Sequence, residues 1–363
     1  MTSPENHFEI PPNIAGVLGH FRTSGSLTRA RRFGSGHIHT TWLIESAGSG
    51  KSAGSDESDG YILQQFNNSV FPLTAATMEN IRLVTGHLRL KWGEGSGFVV
   101  PQLIETTSGG LFHTDAEGNP WRMYRRILPG ISYDVVPDAP LAHEAGRIFG
   151  KFIADLSDLP PEQLTVVIPG FHSAELRYRQ LQKAIRNDTA RRRSEVAAEI
   201  SFAELNSDVM MELPRRQASG EIPVRVTHND TKLNNVLFDE HNRAVSVIDL
   251  DTVMPGLSLY DFGDLVRTAA STGDEDEADL NRIGFSRSLY DAIREGFLDQ
   301  AGHLLTPAEI ALLPLSGRYM TWIMGIRFLA DYLNGDVYYQ THYPGQNLRR
   351  CRAQFRLMET MSM

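Results

Sequence analysis

Residues 228–235 read HNDTKLNN, and after a short apolar run and the polar turn DEHNR at 239–243 the chain continues as AVSVIDLD at 244–251. The runs NVLF and AVSVID flank a turn-forming pentapeptide, so they predict an antiparallel hairpin. Strands in such a hairpin lie about 5 Å apart, which puts Asn235 at its start and Asp249 at its finish on one open end. Two hard oxygen donors are then expected to converge. If the second strand continues, Asp251 shares a face with Asp249, because strand side chains alternate, and becomes a candidate second ligand.

That donor set suits magnesium, which takes one or two protein oxygens and fills its octahedron with phosphate oxygens and water. His228, Asp230 and Asn235 also reproduce the spacing His-x-Asp-x-x-x-x-Asn of phosphoryl-transfer catalytic loops. There the Asp orients the acceptor hydroxyl and the Asn holds metal. We therefore expect Asp230 to orient a hydroxyl, Asn235 and Asp249 to bind magnesium, and His228 to brace the loop through hydrogen bonds. Turn formation would account for any one of these Asp or Asn residues alone. Their spacing, the hairpin and the strand-terminal carboxylate together favour chemistry.

Other segments invite similar readings. Asp261-Phe262-Gly263 spells a magnesium-binding tripeptide but lies well past the hairpin, so Asp261 and Asp264 are expected to support rather than coordinate. GSGKS at 48–52 resembles half of a phosphate-binding loop, yet Glu45 occupies the first glycine position and no helix signal follows. The turn Gly34-Ser35-Gly36-His37 is the better phosphate cover, since glycines let backbone N–H groups approach an anion.

With 363 residues, 41% of them hydrophobic and 22% charged, the chain is long enough to form two lobes. A net charge of −9 argues against a surface built for nucleic acid. The lone Cys351 fits a reducing compartment. No signal-peptide pattern or membrane-length apolar run is read, so a cytoplasmic protein with small-molecule partners is expected, without membrane or nucleic-acid partners. The triple arginine at 191–193 and the acidic run at 274–279 read as solvated surface.

Along the chain, strands are expected at 27–45 around the glycine turn, at 61–66, near 98–105 and near 121–127, with a helix over 74–92 and a mobile polar loop at 46–60. After Pro137 the pattern becomes helical, interrupted by the hairpin. The expectation is an α+β fold: an N-terminal sheet lobe over 1–127 and a larger, mostly helical lobe over 128–363.

Together, HNDTKLNN, VIDLD, GHIHTTWLIE at 36–45, YILQQFNNSVFP at 61–72, RFLADYLNGDVYY at 327–339 and YPGQNLRR at 343–350 resemble the aminoglycoside phosphotransferase and choline kinase superfamily, and within it the N-acetylhexosamine kinases. The resemblance implies a protein-kinase-like two-lobed fold, ATP and magnesium as cofactors, and phosphorylation of N-acetylglucosamine or N-acetylgalactosamine at the anomeric hydroxyl. It implies Asp230 as the base, Asn235 and Asp249 on the metal, and Gly34, Ser35, Gly36 and Gln65 near the nucleotide. It also implies Asn229, His37, Arg327 and Tyr338 on the sugar, and a monomer or weak dimer. Arg327 could instead pair with Asp331 one helical turn on. Where nucleotide-lobe strands usually carry a phosphate-binding lysine, this chain has Gln64 and Gln65, which can hydrogen-bond a phosphate but not neutralise it. Rival expectations are another acceptor, such as an aminoglycoside, choline, homoserine or methylthioribose, and a catalytically silent binding module.

Overall fold

The computed structural model describes residues 10–34, 38–46, 60–93 and 95–361. Ser35, Gly36 and His37, and the 47–59 part of the expected loop with its GSGKS, lie outside the described residues. The chain divides into two units, one comprising Met1–Ile131, Leu237–His241 and Val245–Asp251, the other Ser132–Val236, Asn242–Ala244 and Thr252–Met363.

The first unit opens with helix α1 (Pro12–Leu18) and builds a sheet from β1 (Leu27–Arg32), β2 (Thr40–Ser46), β3 (Gly60–Gln65), β4 (His113–Thr114) and β5 (Pro120–Arg125), with α2 (Thr74–Arg89) between β3 and β4. The strand order is β1-β2-β3-β5-β4 and every pairing is antiparallel. Alternation along the strands sends Ile44, Leu63 and Met123 into a core shared with Ile14, Phe21 and Trp121. At the start of β3 only glycine fits: Gly60 has φ +140°, and a Cβ there would stand 2.1 Å from the Ile44 carbonyl oxygen.

The strand expected near 98–105 does not form a ladder. Its pairing is an isolated bridge from Leu103 to Tyr124, flanked by the Ile104 N–H to Met123 and the Arg125 N–H to Gln102. Pro101 has no N–H to give, which stops a regular strand.

The second unit is mostly helical: α3 (Ala139–Asp155), α4 (Ala174–Asn187), α5 (Ala197–Met210), α6 (Glu212–Ala218), the short strand β6 (Arg225–Thr227), then, after β7 (Val236–Phe238) and β8 (Ala244–Val247), which lie mainly in the first unit, β9 (Met254–Gly256), α7 (Ser258–Ala269), α8 (Arg287–Ala301), α9 (Pro307–Asn334) and α10 (Gln346–Thr360). The expected hairpin is present as β7 paired with β8, and the chain passes between the units within it. The pairing of β6 with β9, which frames the motif, was not expected. No described helix is long and apolar enough to cross a membrane.

Glycines set the closest helix contacts. A Cβ at Gly146 of α3 would lie 2.2 Å from the Ile293 carbonyl oxygen of α8, and one at Gly296 of α8 would lie 2.1 Å from that of His143. Gly263 in α7 meets Ser316 of α9 in the same way, at 2.3 Å. The 28-residue α9 starts with a capping box, in which Thr306 accepts from the Glu309 N–H and the Glu309 carboxylate accepts from the Thr306 N–H.

Backbone atoms cannot give way as a flexible side chain can, so Gly146→Val should destabilise the second unit by about 2–3 kcal/mol or more. A lowered denaturant midpoint with an unchanged slope would be the expected signature.

Candidate functional site

In the second unit the motif loop leaves β6 and is held by α7. Asp261, in the first turn of that helix, is fully buried. Its Oδ2 accepts from the His228 N–H at 2.8 Å and its Oδ1 from the Asn229 N–H at 2.7 Å. Thr231 Oγ1 donates to the Asp261 carbonyl at 2.5 Å. Burial, working against those two N–H donors, pushes the Asp261 carboxyl up to about 7, with Asp264 and Asp230 adding to the rise. The expected supporting role of Asp261 is thus a specific one: it clamps the backbone on which Asp230 sits.

Asn229 adopts a left-handed backbone, φ +64°, a conformation Asn tolerates better than most residues. Its Nδ2 donates to the carbonyls of Thr227, Thr252 and Met254 at 3.1, 3.0 and 3.4 Å, tying the loop to the β6–β9 pair. Thr252 Oγ1 donates to the His228 carbonyl at 2.6 Å. His228 itself is fully buried, edge-on to Phe149 and Phe152, and its Nδ1 accepts from the Asp230 N–H at 3.3 Å. It braces, as expected.

Asp230 then presents a carboxylate whose Oδ1 lies 2.9 Å from Lys232 Nζ. Asn235 Nδ2 donates to the Asp230 carbonyl at 2.8 Å and to its Oδ2 at 3.3 Å, leaving Asn235 Oδ1 as that side chain's acceptor. Burial would raise the Asp230 carboxyl, but the positive charge of Lys232, followed by His228 and Arg267, outweighs it and holds the group below its ordinary value. Asp230 in turn pushes the Lys232 ammonium upward. Sequence reading missed Lys232. Its position two residues after Asp230, inside the motif, was the available signal. Asp264 accepts from Arg267 Nε and its neighbouring guanidinium nitrogen, both at 2.9 Å, and so serves to hold Arg267 near the loop.

In the first unit, β8 stops at Val247, and Asp249 turns out of the strand with φ +60° into a short 3-10 turn, Leu250–Thr252. The expected continuation of the strand to Asp251 therefore fails, and Asp251 does not share a strand face with Asp249. Its carboxylate is buried against Arg122 of β5, which donates to Oδ1 and, at 2.9 Å, to Oδ2. His39 completes the arrangement: Nδ1 accepts from the Asn67 N–H at 3.0 Å, so Nε2 carries the proton and donates to Asp251 Oδ2 at 2.5 Å. Burial would raise the Asp251 carboxyl, but Arg122 and His39 drive it far below the carboxylate range. Asp249 is exposed, and one donor atom each of His39, Asp249 and Asp251 lie within 4.8 Å of one another, a spacing compatible with a metal. The Asp251 oxygens are engaged by Arg122 and His39.

The two glutamines separate by strand parity. Gln64 faces Arg122 across β3 and β5 and accepts from its Nε at 2.9 Å, while Gln65 points to the other face. Arg122 does not replace the missing lysine as a mobile phosphate ligand, because it is fully buried and spent on Asp251 and Gln64. Gly34 has φ +78° with open space where a Cβ would be.

Arg327 does not pair with Asp331. Asp331 accepts from the N–H groups of Val337, Tyr338 and Tyr339 at 3.0, 2.8 and 3.0 Å, and so shapes the loop after α9. Arg327 instead lies over the rings of Phe171, Tyr339 and Tyr338 at 5.4, 5.5 and 6.0 Å. Arg177 stands near it, held by the Phe171 carbonyl at 3.1 and 3.0 Å, and burial followed by Arg327's charge lowers its guanidinium to about 10. The two runs read as solvated surface stay largely exposed, but some of their residues are also paired. Arg192 pairs with Asp336 at 2.5 Å over the Tyr332 ring. In the acidic run, Glu275 meets Arg267 at 3.3 Å and Asp276 accepts from Tyr343 and Gln346, both at 2.8 Å.

Comparison with known proteins agrees with this architecture. The model of the "Phosphotransferase enzyme family" matches residues 29–296. A microcompartment-associated aminopropanol kinase is similar in structure, with a TM-score of 0.64 at 17% identity over 95% of this chain and 94% of that one. An aminoglycoside phosphotransferase from Alicyclobacillus acidocaldarius subsp. acidocaldarius DSM 446 gives 0.57 at 13% identity over 100% and 96%. An amicoumacin kinase solved with AMP-PNP and Ca2+ gives 0.57 at 14% identity over 94% and 91%. At such identities the likeness establishes the fold: a kinase-like antiparallel N-lobe with a helical C-lobe.

Removing one partner of a buried ion pair strands the other, so Arg122→Met should cost the first unit roughly 3–5 kcal/mol. The sign of the pH dependence follows from Asp251. Its folded pKa is depressed, so its stabilisation is fully present above the unfolded value of about 4 and is lost as pH falls below it. Denaturation between pH 7 and pH 3 should show the difference between wild type and Arg122→Met shrinking towards the acid end.

Proposed function

The chain belongs to the phosphotransferase enzyme family, and from that premise we propose that it transfers the γ-phosphate of ATP to the anomeric hydroxyl of an N-acetylhexosamine, with magnesium, yielding the sugar 1-phosphate and ADP. The observation that carries the reading is Asp230: an ionised carboxylate on a clamped loop, with a lysine 2.9 Å away and an asparagine beside it.

In the proposed step the sugar oxygen forms a bond to the γ-phosphorus. The bond from that phosphorus to the β–γ bridging oxygen breaks, its electron pair leaves on ADP, and the hydroxyl proton passes to Asp230. A carboxylate held below its ordinary pKa is a weak base. Asp230 therefore acts first by orienting the hydroxyl and takes the proton late, as a loose phosphoryl-transfer transition state permits. Lys232 supplies a cation beside the reacting group that the first unit's Gln64 and Gln65 cannot.

Magnesium, when bound, supplies charge neutralisation on the transferring phosphates. Asn235 Oδ1 in the second unit, with its Nδ2 already committed to Asp230, and the exposed Asp249 carboxylate in the first are each a hard oxygen of the kind that magnesium takes. The nucleotide is assigned to Gly34, Ser35, Gly36 and Gln65, and the sugar to His37, Arg327, Tyr338 and Asn229, whose Nδ2 is committed to backbone so that only its Oδ1 is available.

A neutral acceptor is favoured over a cationic one by the charges nearby. Arg177 and Arg327 together would repel an ammonium group, and Glu275 and Asp276 of the acidic run are engaged with Arg267, Tyr343 and Gln346. An amine-bearing acceptor, as in the names of the similar kinases, would need those carboxylates unengaged.

Asp230→Ala should lower turnover by roughly 10²–10⁴-fold with the fold intact, measured as ADP release with N-acetylglucosamine, N-acetylgalactosamine, glucose and kanamycin as acceptors. Activity confined to kanamycin would overturn the sugar assignment. Asn235→Ala and Asp249→Asn should each raise the magnesium concentration for half-maximal activity by roughly 10–100-fold. An unchanged magnesium titration in both would remove them from the metal.

A further inference from the structure

Arg177 of α4 and Arg327 of α9 converge on Phe171. Arg177 donates to the Phe171 carbonyl oxygen from Nε at 3.1 Å and from Nη2 at 3.0 Å, and the Arg327 guanidinium lies 5.4 Å from the centre of the Phe171 ring. Like charges so placed repel, and burial followed by the charge of Arg327 lowers the Arg177 guanidinium to about 10. Their other hydrogen bonds go to uncharged atoms, from Arg177 to the Gln180 carboxamide oxygen at 3.0 Å and from Arg327 to the Met324 sulfur at 3.4 Å. Neither arginine makes an ion pair with a carboxylate among the described residues. Glu275, whose charge reaches the neighbouring Tyr339, is paired with Arg267 at 3.3 Å.

Aromatic rings cover the faces of Arg327 but do not use its N–H edge, and a guanidinium has five N–H groups arranged as a fork. Most of that fork has no oxygen to donate to. Both arginines keep some exposed surface, and Tyr338, whose ring lies 6.0 Å from the Arg327 guanidinium, is exposed, so the cluster meets solvent. An anion seated there would offset both the mutual repulsion and the lost hydration of the two cations. The cluster also adjoins the motif loop. The Phe171 and His172 rings are 4.2 Å apart, His172 Nε2 is 2.8 Å from the Asn229 carbonyl oxygen, and Asn229 precedes Asp230. Burial lowers the His172 imidazole to about 4, and the charges of Asp264, Arg327 and Asp230 all act on it, so Arg327 and Asp230 lie within reach of one ring.

We propose that Arg177 and Arg327 form an anion subsite, and that the preferred acceptor is an N-acetylhexosamine bearing a carboxylate away from its anomeric carbon. The anomeric hydroxyl then sits at Asp230 and the carboxylate at the two guanidiniums. The inference rests on the reading of the protein as an N-acetylhexosamine kinase and names the substrate class within it. A carboxylate matches the chemistry of the subsite, because its two oxygens fit the planar donor fork of an arginine. The aromatic walls strengthen the attraction by excluding water from one side of the pair.

Two matched pairs of acceptors test it: N-acetylglucosaminuronic acid with its C6 amide, and 3-O-carboxymethyl-N-acetylglucosamine with its amide. Members of a pair share the ring, the acetamido group and the anomeric hydroxyl, and differ in charge. In the wild type, kcat/KM from ADP release near neutral pH should favour the acid roughly tenfold or more in at least one pair, the scale of a hydrogen bond to a charged group. In Arg177→Gln and in Arg327→Gln that preference should fall roughly tenfold, whereas Arg177→Lys, which keeps the charge, should retain part of it. Bracing of Phe171 alone would lower both members of a pair together and leave their ratio as it was. No acid preference in either pair, with the wild type active on N-acetylglucosamine, overturns the anion subsite alone and needs no variant to fold. A preference that survives both Gln substitutions overturns its assignment to these arginines. A wild type inactive on every hexosamine overturns the sugar-kinase reading beneath it.

Discussion

The second unit depends on the grip of one buried carboxylate on two consecutive amides. Asp261 accepts from His228 and Asn229, and every feature of the motif loop follows from that attachment. It fixes the left-handed turn at Asn229, sends that side chain back to Thr227, Thr252 and Met254, and leaves Asp230 facing outward with Lys232. A carboxylate with no exposure is costly to keep ionised, and burial accordingly pushes its pKa up to about 7 against the two N–H donors. The protein retains it because an amide or hydroxyl at the same position could not accept symmetrically from two neighbouring N–H groups. Helix α7, packed glycine-first against α9, thus sets the position of the motif loop.

The first unit solves a related problem with opposite chemistry. There the buried carboxylate, Asp251, is matched by a full guanidinium and an imidazole N–H, so its pKa is depressed where that of Asp261 is raised. The fork of Arg122 also takes Gln64, making β3, β5 and the end of the hairpin one hydrogen-bonded assembly. This accounts for the absent lysine in structural terms. The strand position that would offer a free ammonium offers a carboxamide that helps hold Arg122, and the arginine is consumed in fixing the turn after Asp249.

Much of this was legible in the sequence, and the boundary of legibility has a physical cause. The hairpin, the β1–β2 and β3 strands, α2 and the helical second unit were readable because periodicity and turn chemistry are local. The bracing role of His228 was readable from its place in a spaced motif. Asp251 was misread because strand parity was carried past Val247, where Asp249 takes φ +60°, and no residue pattern announces that an Asp will turn left-handed. Arg122 and Asp251 are 129 positions apart, and Asp331 serves a loop rather than the Arg327 one turn before it. Such pairings come from tertiary packing, which spacing does not encode. The strand lost at 98–105 was a failure to weight Pro101.

These same non-local pairings bear on what the acceptor must be. Several carboxylates that composition would offer to a cationic substrate are spent inside the fold: Asp261 on backbone, Asp264 on Arg267, Asp331 on three amides. What remains without such partners is of the other kind. Arg327 lies over three aromatic rings, with no ion pair to a carboxylate among the described residues, and His172 Nδ1 is buried with no hydrogen bond there. A net charge of −9 thus conceals a local environment fitted to groups that carry no positive charge. On the proposed reading, discrimination between an acylated sugar and an amine would rest less on any single contact than on which charges the fold has already neutralised.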